Sequence, residues 1–248
     1  MTKVVLITGA SAGLGAEMAR QFAALGYDLA LCARRVDRLA QLRDEIAGRH
    51  PGRRVGVRAL DVTDDAAVTA VFKEFAAEFG RVDRVIVNAG LGKGAPLGTG
   101  RADANRETAM VNFMAALAQS EAALEIFRGQ GSGHLVVISS MSALRGMRRS
   151  MTTYAATKAG VAALAEGIRS ERIPGVDVSV IFPGYIRSEM NERVQQRTKF
   201  MVDTATGVRA MVRAIEKRRA KAYVPAWPWV PIGAAMRVLP LSVVRRMV

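Results

Sequence analysis

Near its N-terminus the chain reads Val4-Val5-Leu6-Ile7-Thr8-Gly9-Ala10-Ser11-Ala12-Gly13-Leu14-Gly15. Five apolar or β-branched residues predict a buried strand, and three glycines in the next seven predict a tight turn leading into a helix. A strand, a glycine-rich turn and a helix make a cradle for pyrophosphate. Glycine lets backbone approach the phosphates, and the helix N-terminus supplies free N–H donors and partial positive charge. The spacing is G-x-x-x-G-x-G rather than the commoner G-x-G-x-x-G.

Outward from this turn, short apolar runs alternate with longer helical stretches. Strands are predicted at Val4–Thr8, Asp28–Ala33, Arg54–Leu60, Arg84–Val87, His134–Ser139, Asp177–Ile181 and Ala222–Val224. Helices are predicted near 13–26, 36–48, 64–79, 103–128, 154–172 and 204–220, with Asp64 and Asp203 placed as helix starts. Strands that are apolar along their length are covered on both faces. The expected fold is therefore α/β: a Rossmann-type, doubly wound, seven-stranded parallel sheet with helices on both faces. No repeat or linker divides the chain, so residues 1–248 read as a single dinucleotide-binding domain. The loop-like stretch Gly90–Gly100 follows the fourth strand, on the edge where such sheets bind ligands.

Composition narrows the classes. Half of the 248 residues are hydrophobic and 23% are charged, which suits a packed globule rather than a disordered chain. No apolar run reaches the length of a membrane-spanning helix, and the short run at Val4 is not a signal peptide. The lone Cys32 lies in a predicted strand and fits a reducing, cytoplasmic setting. The net charge is +14, and residues 187–248 concentrate it with 13 Lys and Arg against 4 Asp and Glu. No helix-turn-helix, zinc spacing or aromatic RNA-binding motif accompanies that charge, so nucleic acid is not the expected partner. His50 and His134 form no metal-ligand cluster, and no metal is expected.

Further motifs follow the turn in a recognisable order. Asp61-Val62 closes the third strand, Asn88-Ala89-Gly90 closes the fourth, and Asn112 lies in the long helix after it. Ser139-Ser140 ends the fifth strand, Tyr154-Ala155-Ala156-Thr157-Lys158 follows, and Pro183-Gly184-Tyr185-Ile186-Arg187-Ser188 ends the sixth. Together with Thr8-Gly9-Ala10-Ser11-Ala12-Gly13-Leu14-Gly15, this series resembles the short-chain dehydrogenase/reductase family, in its compact single-domain branch, over roughly residues 3–225. The resemblance implies cofactor contacts from Gly9, Ser11, Gly13, Leu14 and Gly15, from Asp61 and Val62 near the adenine, and from Asn88, Ala89 and Gly90. It also implies that Pro183, Gly184, Ile186 and Ser188 pass the nicotinamide carboxamide, with Ser188 replacing the family's usual threonine. It makes Asn112 the holder of a water that links Lys158 to solvent. A substrate lid about 185–206 and a homodimer or homotetramer are expected on the same ground.

The second strand ends in Arg34-Arg35. A carboxylate there would suit the ribose hydroxyl of NAD, whereas guanidinium groups bind a 2′-phosphate through forked, charge-assisted bonds. NADP(H) is therefore the expected cofactor, and which arginine makes the main contact stays open. Tyr154 and Lys158, four apart on a helix, share a face. A free phenol titrates near about 10. A nearby ammonium and the charge of an oxidised nicotinamide favour the phenolate, so Tyr154 can exchange a proton with a substrate oxygen. Ser140 is the candidate for holding that oxygen, with Ser139 and Ser142 as rivals, because the Ser140–Tyr154 gap is one residue longer than the family pattern.

The tail, about 226–248, holds both tryptophans, several prolines and no Asp or Glu. Two readings are open: packing against its own or a neighbouring subunit, or contact with an anionic membrane surface. The leading expectation is an NADP(H)-dependent oxidoreductase that interconverts a carbonyl and a secondary alcohol, a ketone or ketoacyl reductase. A peripheral-membrane reductase of a lipid-linked or long-chain substrate and a non-catalytic NADP(H)-sensing protein are the alternatives.

Overall fold

In the computed structural model, which describes residues 2–189 and 200–247, seven strands form one all-parallel sheet. They are β1 Val4–Thr8, β2 Asp28–Ala33, β3 Val55–Ala59, β4 Arg84–Val87, β5 Gly133–Ile138, β6 Val176–Pro183 and β7 Lys221–Val224, in the order β3-β2-β1-β4-β5-β6-β7. The order reverses between β1 and β4, so the two chains diverge there and leave a crevice at the carboxyl ends of the strands. The helices α1 Gly13–Ala24, α2 Val36–Arg49 and α7 Thr204–Glu216 cover one face. On the other face lie α3 Asp65–Phe79, α5 Ala115–Gln130 and α6 Met151–Ser170. Alternate residues of one strand feed both cores: Val4 and Leu6 face the first set of aromatics, Phe72, Phe75 and Phe127, while Val5 and Ile7 face Met18 and Phe22.

The expected helix starts are present as side-chain caps. Asp64 accepts from the Ala67 N–H at 2.9 Å and Asp203 from the Thr206 N–H at 2.8 Å. Two local readings are corrected. The helix expected over 103–128 is α4 Ala102–Ala109, then a π turn Met110–Met114, then α5. The helix carrying Tyr154 begins three residues early, at Met151, where Thr152 Oγ1 donates back to the carbonyls of Met147 and Arg149. The tail is helical, with α8 Ala226–Val238 and α9 Leu241–Met247. Backbone at Trp227 is still extended, so Pro228 takes the first helical position, where its missing N–H costs no bond, and Pro231 lies one turn further in, inside the helix. Of the lid expected over 185–206, residues 190–199 lie outside the described residues.

At the opposite end of the sheet from the crevice, a buried polar cluster ties β4, β5 and α7 together. Arg84 donates from Nε to His134 Nδ1 at 3.0 Å and from NH1 to Glu216 Oε1 at 2.5 Å. His134 Nε2 lies 2.8 Å from Ser179 Oγ. Because Nδ1 accepts from a guanidinium, the ring proton sits on Nε2 and the imidazole is neutral. Burial, then the charges of Arg84 and Arg218, push the His134 pKa down to about 3. Between that value and the unfolded one of 6.5, the unfolded chain binds a proton that the native chain does not. Stability from this group is therefore complete above the upper value and lost as pH falls through the window. Wild-type melting temperature should drop on going from pH 7 to pH 5 more steeply than that of His134→Gln, measured by thermal denaturation; parallel curves would refute this.

Candidate active site

The cradle forms where β1 ends. Thr8 Oγ1 accepts from the N–H groups of Asn88 at 3.0 Å and Ala89 at 3.1 Å, and Asn88 Nδ2 donates to Thr8 O at 2.9 Å. The strand ends are thereby pinned side by side. Gly9 turns with φ +63, and a Cβ there would come within 2.9 Å of Ala89 Cα. A Cβ on Gly15 would meet Gly9 O at 2.4 Å and Ala10 Cα at 3.0 Å. The helix α1 starts at Gly13 with no side-chain cap and no acidic residue in its first turn. Its leading N–H groups are left for an anionic ligand, and the turn fits the diphosphate of a dinucleotide. Ser188 faces Gly13 across the turn, 3.6 Å from where a Cβ would be, and Leu14 packs partly into the core.

Around this turn lie the other expected cofactor residues. Val62 is buried, and Asp61 accepts from Thr63 N at 3.0 Å and Thr63 Oγ1 at 2.8 Å. Those two bonds, with the charge of Arg34 nearby, hold the Asp61 carboxyl below its ordinary range. The arginine pair is thus separated. The charge of Arg34 is felt at Asp61, whereas Arg35 Nε donates to Ser11 Oγ in the glycine turn at 3.3 Å. The Ile186 side chain is buried in the core against Gly207.

The reacting groups converge from four elements. Lys158, on α6, is buried, and its Nζ donates to Ile138 O at the end of β5 at 2.9 Å. Burial lowers its pKa to about 8. The same ammonium stands 5.9 Å from the centre of the Tyr154 ring. Burial is also the largest influence on the Tyr154 phenol and raises its pKa, against a hydrogen bond with Ser140 that lowers it. The phenol is thus tuned by burial, by Ser140 and by the neighbouring Tyr185. The rival serines separate clearly. Ser139 Oγ donates to Lys158 O at 2.7 Å and anchors the helix, while Ser140 is the serine bonded to Tyr154 and accepts from Ser142 N at 3.1 Å.

Asn112 sits in the π turn and is buried. Its Oδ1 accepts from Leu91 N at 2.7 Å and its Nδ2 donates to Leu91 O at 2.9 Å. The amide clamps the loop after β4, and any water linking Lys158 to solvent has to lie beside an amide already committed to Leu91. Gly90 lies between the two groups: a Cβ there would be 3.2 Å from Asn112 Oδ1 and 3.5 Å from Lys158 Nζ.

Two residues near the site were not singled out from sequence. The Trp229 indole, from α8, lies on Gly184, where a Cβ would be 2.1 Å from it. It meets Tyr185 edge-on with centroids 5.4 Å apart. Tyr185 in turn raises the pKa of Tyr154. Among the described residues no three His, Cys, Asp or Glu gather to hold a metal ion.

A seven-stranded doubly wound sheet with this turn and this Ser–Tyr–Lys cluster defines a dinucleotide-dependent oxidoreductase class. The family model described as short chain dehydrogenase matches residues 3–199, and the chain belongs to that family. Two oxidoreductases of Mycobacterium tuberculosis are 52% identical to it over 243 residues, covering 98% of this chain and 96% of each of theirs. A short-chain dehydrogenase from Sphingobium yanoikuyae, solved with NADPH, superposes with TM-score 0.82 at 27% identity, covering 97% of both chains. A short-chain dehydrogenase/reductase from Burkholderia phymatum, solved with NAD, shares the fold with TM-score 0.84 at 24% identity, covering 96% of this chain and 92% of that one.

Gly15→Ala places a methyl group against backbone that cannot yield. It should destabilise the fold by about 1–3 kcal/mol, as overpacking does, and abolish dinucleotide binding. Thermal denaturation and titration of NADPH fluorescence check both effects.

Proposed function

We propose that the chain is an NADP(H)-dependent oxidoreductase that interconverts a carbonyl and a secondary alcohol, acting as a ketone or ketoacyl reductase. The observation that carries this is the half-buried Tyr154, its phenol influenced by Ser140, one helical turn from a buried Lys158. The whole chain serves as one catalytic domain, with a small-molecule or acyl carbonyl substrate. Arg35 beside Ser11 supports the phosphorylated cofactor, and the NADPH complex of the Sphingobium relative is consistent with it.

A bound nicotinamide dinucleotide supplies or accepts the hydride. Ser140 and Tyr154 hydroxyls together hold the substrate oxygen, where negative charge grows as the carbonyl is reduced. Tyr154 Oη then gives its proton to that oxygen, and takes it back in the reverse direction. The resulting phenolate is stabilised by Lys158, whose pKa of about 8 keeps it cationic at neutral pH. Asn112 keeps the Leu91 loop out of the space beside Lys158, and Ser188 with Gly184 borders the nicotinamide end. A non-catalytic NADP(H) sensor would have no need for Ser140, Tyr154 and Lys158 gathered in this way.

The tail supports a second proposal. Its inner face is spent on the core through Trp229, Met236 and Val244, which are 6%, 2% and 1% exposed. Its outer face carries Trp227 at 78% exposure and Val238 at 81%, next to Arg237. We propose that this face touches an anionic membrane surface or a neighbouring subunit of a homodimer or homotetramer. No helix among the described residues is long and apolar enough to cross a membrane.

Tyr154→Phe should keep NADPH binding and lose turnover by on the order of a thousandfold, the range set by removing an acid/base group. Near-normal turnover in the pure variant would sink the assignment. Wild type should oxidise NADPH in preference to NADH with ketone substrates, and equal use of both would remove the phosphorylated cofactor from the reading. Trp227→Ala should weaken sedimentation with phosphatidylserine vesicles; absence of wild-type binding at low salt would discard the membrane surface and leave the subunit contact.

A further inference from the structure

At the outer rim of the glycine turn, two guanidinium groups converge on one carboxylate. Arg35, the residue before α2, donates to Glu189 from NH1 to Oε1 at 3.2 Å and from NH2 to Oε2 at 2.9 Å. Arg38, in the first turn of α2, donates from NH1 to the same Oε1 at 2.8 Å. Three residues apart, the two side chains leave the same face of the helix start. Arg35 Nε also reaches Ser11 Oγ at 3.3 Å, so this cluster is continuous with the turn that faces the diphosphate. Glu189 is the neighbour of Ser188, which lies across Gly13. The segment carrying both therefore crosses the mouth of the cradle and sets its carboxylate where the second strand ends.

Two like charges directed at one point repel unless an anion lies between them. Here that anion is Glu189. Its two oxygens take three guanidinium N–H groups in the forked geometry that arginine also offers to phosphate. The side chains of Arg35, Arg38 and Glu189 are 43%, 44% and 44% exposed, so the contact is open to exchange with solvent and with a competing ligand. Hydrogen bonds from both arginines hold the Glu189 carboxyl down to about 2, which keeps it charged throughout the neutral range.

We propose that Arg38 joins Arg35 in seating the 2′-phosphate of the cofactor, and that Glu189 occupies this seat as a stand-in for the phosphate, so that Arg38 and Glu189 set the selectivity between phosphorylated and unphosphorylated dinucleotide. The inference rests on the NADP(H) reading above and adds two residues to it. A phosphate monoester carries about −1.5 to −2 charge and three acceptor oxygens. It can displace a carboxylate of charge −1 from two arginines and still offer an oxygen to Ser11. A ribose hydroxyl carries no charge and cannot.

The test uses the full chain and two adenosine fragments, 2′,5′-ADP and 5′-AMP, titrated by calorimetry. These report the adenosine end alone and need no turnover. Wild type should bind 2′,5′-ADP more tightly than 5′-AMP. Glu189→Gln removes the competing charge and should tighten 2′,5′-ADP by about fivefold, the scale of releasing exposed ion pairs, with 5′-AMP unchanged. Arg38→Ala should weaken 2′,5′-ADP by on the order of tenfold, as for a lost charge-assisted bond, again with 5′-AMP unchanged. In the Arg38→Ala background the gain from Glu189→Gln should shrink, because the two residues share one contact. The proposal is overturned if wild type prefers 2′,5′-ADP but neither substitution alters the ratio of the two affinities, or if both ligands move in parallel. A wild type with no preference would refute the NADP(H) reading itself.

Discussion

The site depends on how closely the ends of β1 and β4 approach each other. Thr8 holds two backbone N–H groups of the β4 exit on one hydroxyl oxygen, and Asn88 returns its amide to the β1 carbonyl. That stitching leaves no room for a methyl group at Gly9 or Gly15, so the crevice wall is bare backbone. Parallel pairing then carries the position outward. The register of β4 with β5 places Ser139 and Ser140 beyond Ile138, and Ser139 grips the carbonyl of Lys158 on the following helix. A bound ligand would thus meet donors whose relative positions are set by backbone hydrogen bonds rather than by flexible side chains.

Burial is the second organising influence, and it works on the two ionisable groups in opposite senses. Removing water disfavours the charged forms of both Tyr154 and Lys158, raising one pKa and lowering the other. The lysine ammonium is held inside by the Ile138 carbonyl, and the phenol by Ser140. Polar groups that do not react are nevertheless committed: Asn112 to Leu91, Thr157 Oγ1 to the Tyr154 carbonyl at 2.8 Å, Ser139 to Lys158. Such commitments limit alternative rotamers around the groups left to handle a proton.

The parts of this arrangement that were legible in the sequence are those with a local signature. Apolar runs between amphipathic stretches located all seven strands, since fully covered strands are apolar along their length. Tyr154 and Lys158 were visible because a four-residue spacing on a helix is a geometric statement. The choice of Ser140 over Ser139 and Ser142 was left open by spacing and is separated only by their hydrogen bonds. What escaped were contacts between residues far apart in the chain. Nothing local marks Thr8 as the partner of Asn88, or Glu189 as the partner of Arg38, and Trp229 reaches Gly184 from 45 positions away. The two helices of the tail had no local signature either, since the first begins only after the extended backbone at Trp227.

The π turn at Met110–Met114 has a consequence for the history and the engineering of the chain. A turn of this kind holds one residue more than an α-turn at nearly the same rise. Removing a single residue from 110–114 would let α4 and α5 run together as one uninterrupted helix, with every backbone bond satisfied. Because the wide turn absorbs the extra residue, the segments on either side would keep nearly their present faces. The change would fall on the turn itself, where Asn112 would lose its place against Leu91 while the helix as a whole remained well formed. The long helix can therefore be viewed as one α-helix carrying an inserted residue, and the local bulge that aims Asn112, rather than any added stability, is what that residue contributes.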